Sequence, residues 1–323
     1  MNSILECLHI LLSQNVMGDI QYHHRYKGFV GELDFQEWMA VNRPITQVFA
    51  GGYFLPPKPK NTSLTDTIYF TISDDHYSNY RNIYIQISKL DCRQLFYIQW
   101  DNTKAFQDWK SEDVMQIGLK LSVPNFQVFY FDKNNLDFIQ ADISDLLTYY
   151  PLKKRTKKNN IPASLKDFHI SKLARFSQEN LIALYVQRLF FDGFIGFGRE
   201  HGIPSDIDLI IEKKQNGSPG KYLILEIKEK DLSKRPPSGF GMDLDRIKAL
   251  SAIQELSECP VFYVVRHIDN QTERNFLAWK LIGISDFIKY LGSNVIEGGT
   301  GMRSETSSNP TKICPAQYFK TLG

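Results

Sequence analysis

The clearest alternation of apolar and polar positions along the chain lies in residues 204–230, PSDIDLIIEKKQNGSPGKYLILEIKEK. Two apolar runs, residues 206–212 and 221–229, flank a turn at residues 215–220 that contains Asn-Gly and Pro-Gly. Dipeptides of this kind mark turns between strands. The pattern therefore predicts a β-hairpin.

The two faces of this hairpin differ in chemistry, because successive side chains of a strand point to opposite faces. One face carries only apolar side chains: Ile207, Leu209, Ile211, Leu223, Leu225 and Ile227. On the other face we expect Asp208, Glu226 and Lys228 to meet at one end of the hairpin. Two carboxylates with an ammonium beside them predict a magnesium site, since this hard cation prefers oxygen ligands. The alternative is an exposed face with an ordinary cross-strand charge pair.

Periodicity elsewhere alternates between helical and strand-like, which predicts a mixed α/β fold with two mixed-sheet modules. Besides the hairpin, strands are predicted at residues 46–55, 67–73, 82–89, 94–100, 126–131 and 261–266. Helices are predicted at the N-terminus and at residues 26–42, 141–150, 177–190, 243–257 and 284–291.

A length of 323 residues predicts two domains. We expect an N-terminal α/β module at residues 1–150, a basic linker at 151–175, a second module at 176–291 and a low-complexity tail at 292–323. Within the tail, residues 313–319 are predicted to dock back onto the fold. The formal net charge of +2 is too small to indicate a nucleic-acid partner by itself.

The four cysteines lie far apart in the sequence, without zinc-ligand spacing. Reduced thiols in a cytoplasmic protein are therefore expected. The apolar N-terminus lacks the features of a signal peptide, and no apolar run of about 18 residues predicts a membrane span. No Walker A motif is present, so we expect no nucleotide cofactor.

Several segments of the two halves are alike. ISDLLTYY at residue 143 matches ISDFIKYL at residue 284, and IYIQISK at residues 83–89 matches YLILEIK at residues 222–228. The offset from Gln86 to Glu226 is 140 residues and that from Ile143 to Ile284 is 141, and these nearly equal offsets predict a duplicated module. In the first copy Gln86 and Ser88 would then replace Glu226 and Lys228, and the metal chemistry would be lost. The alternative is a chance likeness of two unrelated segments.

The order Pro-x-Asp, strand, turn, strand, Glu-x-Lys resembles the PD-(D/E)XK nuclease superfamily, which has the restriction-endonuclease-like fold. The resemblance covers about residues 177–291. Asp208, Glu226 and Lys228 match the three signature positions, and Asp206 is the rival for the first acid. The resemblance implies a sheet with flanking helices in the second module, and a degenerate nuclease-like copy in the first for DNA binding or dimerisation.

By this resemblance Asp208 and Glu226 are metal ligands, with the Ile227 carbonyl as a further ligand. Lys228 positions or activates the attacking water, or acts as an electrostatic helper. Glu179, on the helix before the hairpin, is a further candidate acid; a first-turn acid favoured by the helix dipole is the alternative. The candidate nucleic-acid-binding residues are Lys230, Lys234, Arg235, Lys154 and Arg155, with Arg246 and Lys248 on the next helix as similar candidates; solvated side chains are the alternative.

The resemblance therefore predicts a magnesium-dependent DNA endonuclease of restriction or defence type, in which Mn²⁺ can replace Mg²⁺. Double-stranded DNA is the expected substrate, and a homodimer stays open. The alternatives are an inactive nuclease-fold protein that binds nucleic acid or a partner, and an RNA-directed nuclease.

Overall fold

A computed structural model describes residues 3–14, 19–56, 64, 66–115, 118–147, 161–195, 205–215, 218–234, 236–293, 295–297 and 310–323. The chain is mixed α/β with a large mixed sheet, and the described residues include eight α-helices. None of these helices combines the length and apolar character that crossing a bilayer requires.

The helices are α1 Ile4–Gln14, α2 Asp19–Asn42, α3 Arg81–Ile87, α4 Ile143–Leu147, α5 Ala163–Leu173, α6 Gln178–Arg188, α7 Leu244–Ser257 and α8 Ile284–Lys289. The strands are β1 Gln47–Leu55, β2 Ile68–Ser73, β3 Gln94–Trp100, β4 Lys110–Glu112, β5 Leu121–Val123, β6 Phe126–Asp132, β7 Asp137–Ala141, β8 Ser205–Gln215, β9 Ser218–Lys230, β10 Gly239–Asp243, β11 Val261–Ile268, β12 Phe276–Gly283, β13 Val295–Glu297, β14 Pro310–Pro315 and β15 Lys320–Leu322.

The chain divides into two compact units that do not follow the predicted boundaries at residues 150 and 176. The first unit comprises Met1–His23 and Gly52–Asp206, and the second comprises His24–Gly51 and Ile207–Gly323. Most of α2, predicted to belong to the N-terminal module, therefore lies in the second unit. Conversely, α6 was predicted to belong with the hairpin and lies in the first unit. Sequence periodicity locates a helix, but it does not show which sheet the helix packs against.

In the first unit, the end of β1 pairs antiparallel with β2, and β2 pairs parallel with β3. Strand β6 follows antiparallel to β3, and β7 antiparallel to β6. Helix α3 lies in the connection between the parallel strands β2 and β3. A separate antiparallel pair is formed by β4 and β5.

In the second unit, the predicted hairpin is confirmed as the antiparallel pair β8 and β9. Strand β9 pairs parallel with β11 through a connection that contains α7, and β11 pairs antiparallel with β12. Strand β15 closes this edge beside β12, and the first residues of β1 lie next to β8. A smaller sheet has the order β10-β14-β13.

Both units thus contain the same series of strands: an antiparallel pair, a parallel partner reached through a helix, and another antiparallel strand. The pairing used to predict the duplication is nevertheless wrong. Residues 82–89, predicted as a strand, form α3 and a 3₁₀ turn, Ser88–Leu90. In this segment the buried residues Ile83, Ile87 and Leu90 share one face, at spacings of four and three.

Matching the two series of strands at Tyr97 on β3 and Tyr263 on β11 gives a different correspondence between the two units. In the first unit Thr71 lies opposite Tyr97, and in the second Glu226 lies opposite Tyr263. The position that corresponds to Glu226 is therefore Thr71 on β2. Gln86, which the sequence comparison put there, lies on a helix.

The apolar face of the hairpin forms the core of the second unit, as predicted. Helix α2 packs Phe35 and Met39 against it. The strands contribute Leu209, Ile211, Leu225, Ile227, Val264 and Trp279 to this cluster. Each fully buried large apolar side chain contributes about 1.5–3 kcal/mol. This packing fixes which face of β8 and β9 is left for the charged residues.

The C-terminal residues and the basic segment differ in part from the prediction. Docking of residues 313–319 is confirmed: β14 pairs with β10, and Ile313, Cys314 and Phe319 are buried. Part of the predicted linker is helix α5, while residues 148–160 lie outside the described residues. Strand β12 was not predicted.

Candidate metal centre

Strands β8 and β9 bring three acids together at one end of the hairpin. Leu209 lies opposite Leu225. Asp208, which precedes Leu209, is therefore next to Glu226, which follows Leu225. Asp206, Asp208 and Glu226 each offer a carboxylate oxygen, and these oxygens lie within 4.8 Å of one another. Both rivals for the first acid therefore belong to the cluster. Three carboxylates fit a hard divalent cation, which takes oxygen ligands.

Asp208 is held from two sides. Its side chain is 1% exposed, and Oδ2 accepts a hydrogen bond of 2.6 Å from the backbone N–H of Ile227. The Nζ of Lys228 lies 3.5 Å from the same oxygen. A carboxylate that accepts a backbone N–H has a fixed orientation. The carbonyl of Ile227 as a metal ligand stays a prediction.

Glu226 is the most strongly paired of the three acids. Its side chain is 1% exposed. Arg246 donates from Nε to Oε1 at 2.9 Å and from its terminal nitrogen to Oε2, and Lys228 Nζ lies 3.0 Å from Oε1. Burial by itself would raise the pKa of Glu226, but Arg246 and then Lys228 outweigh it and lower the pKa to about 2. Glu226 is therefore ionised at neutral pH, the form that a metal ligand requires.

Lys228 joins the two acids, as the sequence predicted. Its ammonium contacts both Glu226 and Asp208, while 39% of its side chain is exposed. The site therefore combines buried carboxylates with a cation that solvent can reach.

The contact of Arg246 with Glu226 was not predicted, since the sequence indicated Arg246 only as a candidate phosphate contact. It lies in the first turn of α7 and is 16% exposed. In the helical pattern Arg246 continues the stripe of the buried residues Leu250 and Ile253, at spacings of four and three. A charged residue in the apolar stripe of a helix was the signal, since such a residue needs a buried partner.

Two further groups lie beside the acids. Tyr263, opposite Glu226 on β11, is fully buried and donates to the carbonyl of Gly241 at 3.1 Å. Burial raises the pKa of this phenol, which therefore stays neutral. Lys230 is half-buried, and burial lowers its pKa, while Asp243 acts in the opposite direction.

The remaining predicted residues are not part of the acidic cluster. Glu179 is exposed in the first turn of α6, a helix capped by Ser177, and is not one of the three clustered acids. This position fits the alternative of an acid favoured by the helix dipole. Lys234 is exposed beyond β9. Three predicted nucleic-acid contacts lie outside the described residues: Lys154, Arg155 and Arg235.

The corresponding position in the first unit is filled by neutral groups. The Thr71 hydroxyl donates to the Tyr69 hydroxyl at 3.1 Å, and the Thr71 N–H donates to the Tyr84 hydroxyl at 3.2 Å. Tyr84 lies on α3 and in turn donates to the carbonyl of Phe96. All three side chains, Thr71, Tyr69 and Tyr84, are fully buried. Among the described residues the groups that contact Thr71 here are neutral, and the position is packed as core.

Comparison with known proteins gives no match to this chain among family models, curated proteins or solved structures. The geometry of Asp206, Asp208, Glu226, Lys228 and Arg246 is therefore the basis for any functional assignment.

Proposed function

We propose that the chain is a nuclease that uses a divalent cation, Mg²⁺ or Mn²⁺, to hydrolyse phosphodiester bonds in DNA. The observation that carries the proposal is the meeting of three carboxylates with the ammonium of Lys228 at one end of the hairpin. The resemblance of this strand pair to the PD-(D/E)XK nucleases supplies the reaction class and the expectation of a restriction or defence role.

Asp206, Asp208 and Glu226 would hold the cation. When bound, a divalent cation lowers the pKa of a coordinated water and offsets charge on the phosphoryl oxygens. Asp208 is suited to this role because the Ile227 N–H fixes its orientation. Glu226 is suited because it is ionised although it is buried.

Lys228 would act on the water and the phosphate. Its ammonium lies 3.0 Å from Glu226 and 3.5 Å from Asp208, and the side chain is half-exposed. A substrate can therefore approach it without opening the core. In this position it orients the attacking water and neutralises charge that develops on the phosphate, as preorganised cations do at other hydrolytic sites.

A nicking assay on supercoiled plasmid tests the proposal. Wild type should nick the plasmid with Mg²⁺ and not with EDTA. Glu226→Gln and Lys228→Met should each reduce the rate about 100-fold or more, the usual effect of losing a preorganised charged group. Lys213→Met is the matched control for Lys228→Met, because Lys213 is exposed on β8 and lies opposite Lys221, away from the acids.

Equal cleavage by wild type and Glu226→Gln would overturn the assignment, as would a folded wild type that cleaves nothing. A parallel assay on single-stranded RNA of the same length separates the DNA and RNA alternatives. Cleavage of the RNA alone would replace DNA by RNA in the proposal and leave the assigned residues unchanged.

A further inference from the structure

Arg246 contacts the two oxygens that a metal bound by Glu226 would use. Its Nε donates to Oε1 at 2.9 Å, and its terminal nitrogen donates to Oε2. Lys228 adds a third contact, 3.0 Å from Oε1. A cation ligated by Glu226 must share or displace these donors. Arg246 and the metal are therefore in competition for the same carboxylate.

The charges around Glu226 indicate that the site is closest to neutral when metal and phosphodiester are both bound. Three carboxylates face two cationic side chains, so the group carries one net negative charge. A divalent cation changes this to one net positive charge, and a phosphodiester with one negative charge then restores neutrality. Since the Asp208 and Glu226 side chains are only 1% exposed, an unbalanced charge beside them is costly.

The geometry of α7 limits the movement to the side chain of Arg246. Ile247 and Leu250, next to it on the helix, are buried and anchor the first turns. The side chain of Arg246 is 16% exposed and its guanidinium sits on a long flexible stem, so the guanidinium can reach towards solvent without movement of the helix. A guanidinium is also well suited to bind phosphate through two donors.

The first unit provides an independent comparison. There the helix between the two parallel strands contacts the corresponding strand position through Tyr84, and that position is the neutral Thr71. At the place where α7 puts Arg246, α3 puts the neutral Tyr84; the arginine of α3, Arg81, is exposed and lies 3.7 Å from Asp137. Packing of a helix on the sheet therefore does not require an arginine at this place.

We infer that Arg246 couples the binding of the metal to the binding of the phosphodiester, an inference that rests on the proposed nuclease function. Arg246 would leave Glu226 when a divalent cation is bound there, and its guanidinium would then bind the phosphate. Metal alone then binds weakly, and each ligand strengthens the binding of the other by the same factor. In the metal-free protein Arg246 is a positioning residue for Glu226.

The first measurement is the affinity for Mn²⁺ without DNA. The electron paramagnetic resonance signal of free Mn²⁺ is used to monitor the titration. Arg246→Gln should bind Mn²⁺ about tenfold more tightly than wild type, which corresponds to about 1.4 kcal/mol. Arg246→Lys keeps a positive charge but not the two-donor contact, and should bind Mn²⁺ more weakly than Arg246→Gln does. If Arg246→Gln melts below the assay temperature, Arg246→Met keeps the stem and removes the charge.

The second measurement is the affinity for a 20-base-pair DNA duplex, by fluorescence anisotropy with Ca²⁺ or with EDTA. In wild type Ca²⁺ should tighten DNA binding about tenfold, and in Arg246→Gln by less than about threefold. Weaker Mn²⁺ binding by Arg246→Gln, or an unchanged Ca²⁺ effect on DNA, would overturn the coupling. Failure of the proposed function is a different result: wild type and Glu226→Gln would then bind Mn²⁺ equally.

Discussion

Glu229 allows stability to be separated from chemistry, because it lies on the same strand as Glu226 and points to the opposite face. Its side chain is 1% exposed and accepts two hydrogen bonds from Arg274, at 2.8 and 3.0 Å. Arg266 donates a third at 3.0 Å, and Lys27 Nζ lies 3.9 Å away. These three cationic side chains are 9–13% exposed, so the cluster is mostly removed from solvent.

Glu229→Gln keeps the shape of the side chain. It removes the negative charge that β9 contributes to the cluster with Arg266, Arg274 and Lys27. Arg266 retains its bond to Asp34 at 2.6 Å, but Arg274 loses both charged contacts to Glu229. Removing one partner of a buried ion pair costs about 3–5 kcal/mol. For a chain of this length 1 kcal/mol shifts Tm by about 2 °C, so we expect a fall of about 6–10 °C.

Thermal unfolding followed by circular dichroism measures this change, and the nicking assay is run at 20 °C on the same preparation. We expect a lower Tm with a cleavage rate within about threefold of wild type. The reason is that Glu229 pairs with Arg266 and Arg274 and is not one of the three clustered acids. A Tm within about 2 °C of wild type, which for a chain of this length means a loss of at most about 1 kcal/mol, would refute the reasoning about the buried charges. A folded variant without cleavage would refute the division between the two faces.

Three further predictions concern the first unit, the strand pair and the third acid. Tyr84→Phe removes the hydroxyl that donates to Phe96, and should cost about 1–3 kcal/mol of unfolding free energy in a urea titration with cleavage unchanged. Gly51→Ala would put Cβ 1.8 Å from the carbonyl oxygen of Ile207, so we expect loss of soluble protein; a normal yield with unchanged Tm would contradict this close approach. Asp206→Asn should weaken Mn²⁺ binding about tenfold in a calorimetric titration, because a charged ligand becomes neutral; unchanged affinity would remove Asp206 from the site.

The sequence was sufficient to predict the centre of the second unit. At the end of the hairpin that carries the acids, apolar and charged side chains alternate along β8 and β9, so a shift of one residue would place Asp208 and Glu226 in the apolar cluster of α2 and the sheet. For this reason the meeting of Asp208, Glu226 and Lys228 followed from local pattern alone.

Other features depend on contacts that local pattern does not contain. In residues 83–87 both a strand and a helix would bury isoleucines, and only the tertiary structure selects the helix α3. The place of Arg246 depends on how α7 lies over β9, so its contact with Glu226 did not follow from spacing. Likewise, no periodicity indicates that α2 belongs to the second unit and α6 to the first.

The central claim is that the carboxylates at the end of the hairpin hold a catalytic divalent cation. Anomalous diffraction from crystals of the wild-type protein soaked in Mn²⁺ tests it most directly. The account predicts an anomalous peak at metal–oxygen bonding distance, about 2.0–2.6 Å, from carboxylate oxygens of Asp208 and Glu226. In Glu226→Gln crystals soaked in the same way, the peak should be lost or much weaker. A wild type that cleaves DNA while its Mn²⁺ binds elsewhere, with no peak at these two residues, would contradict the account.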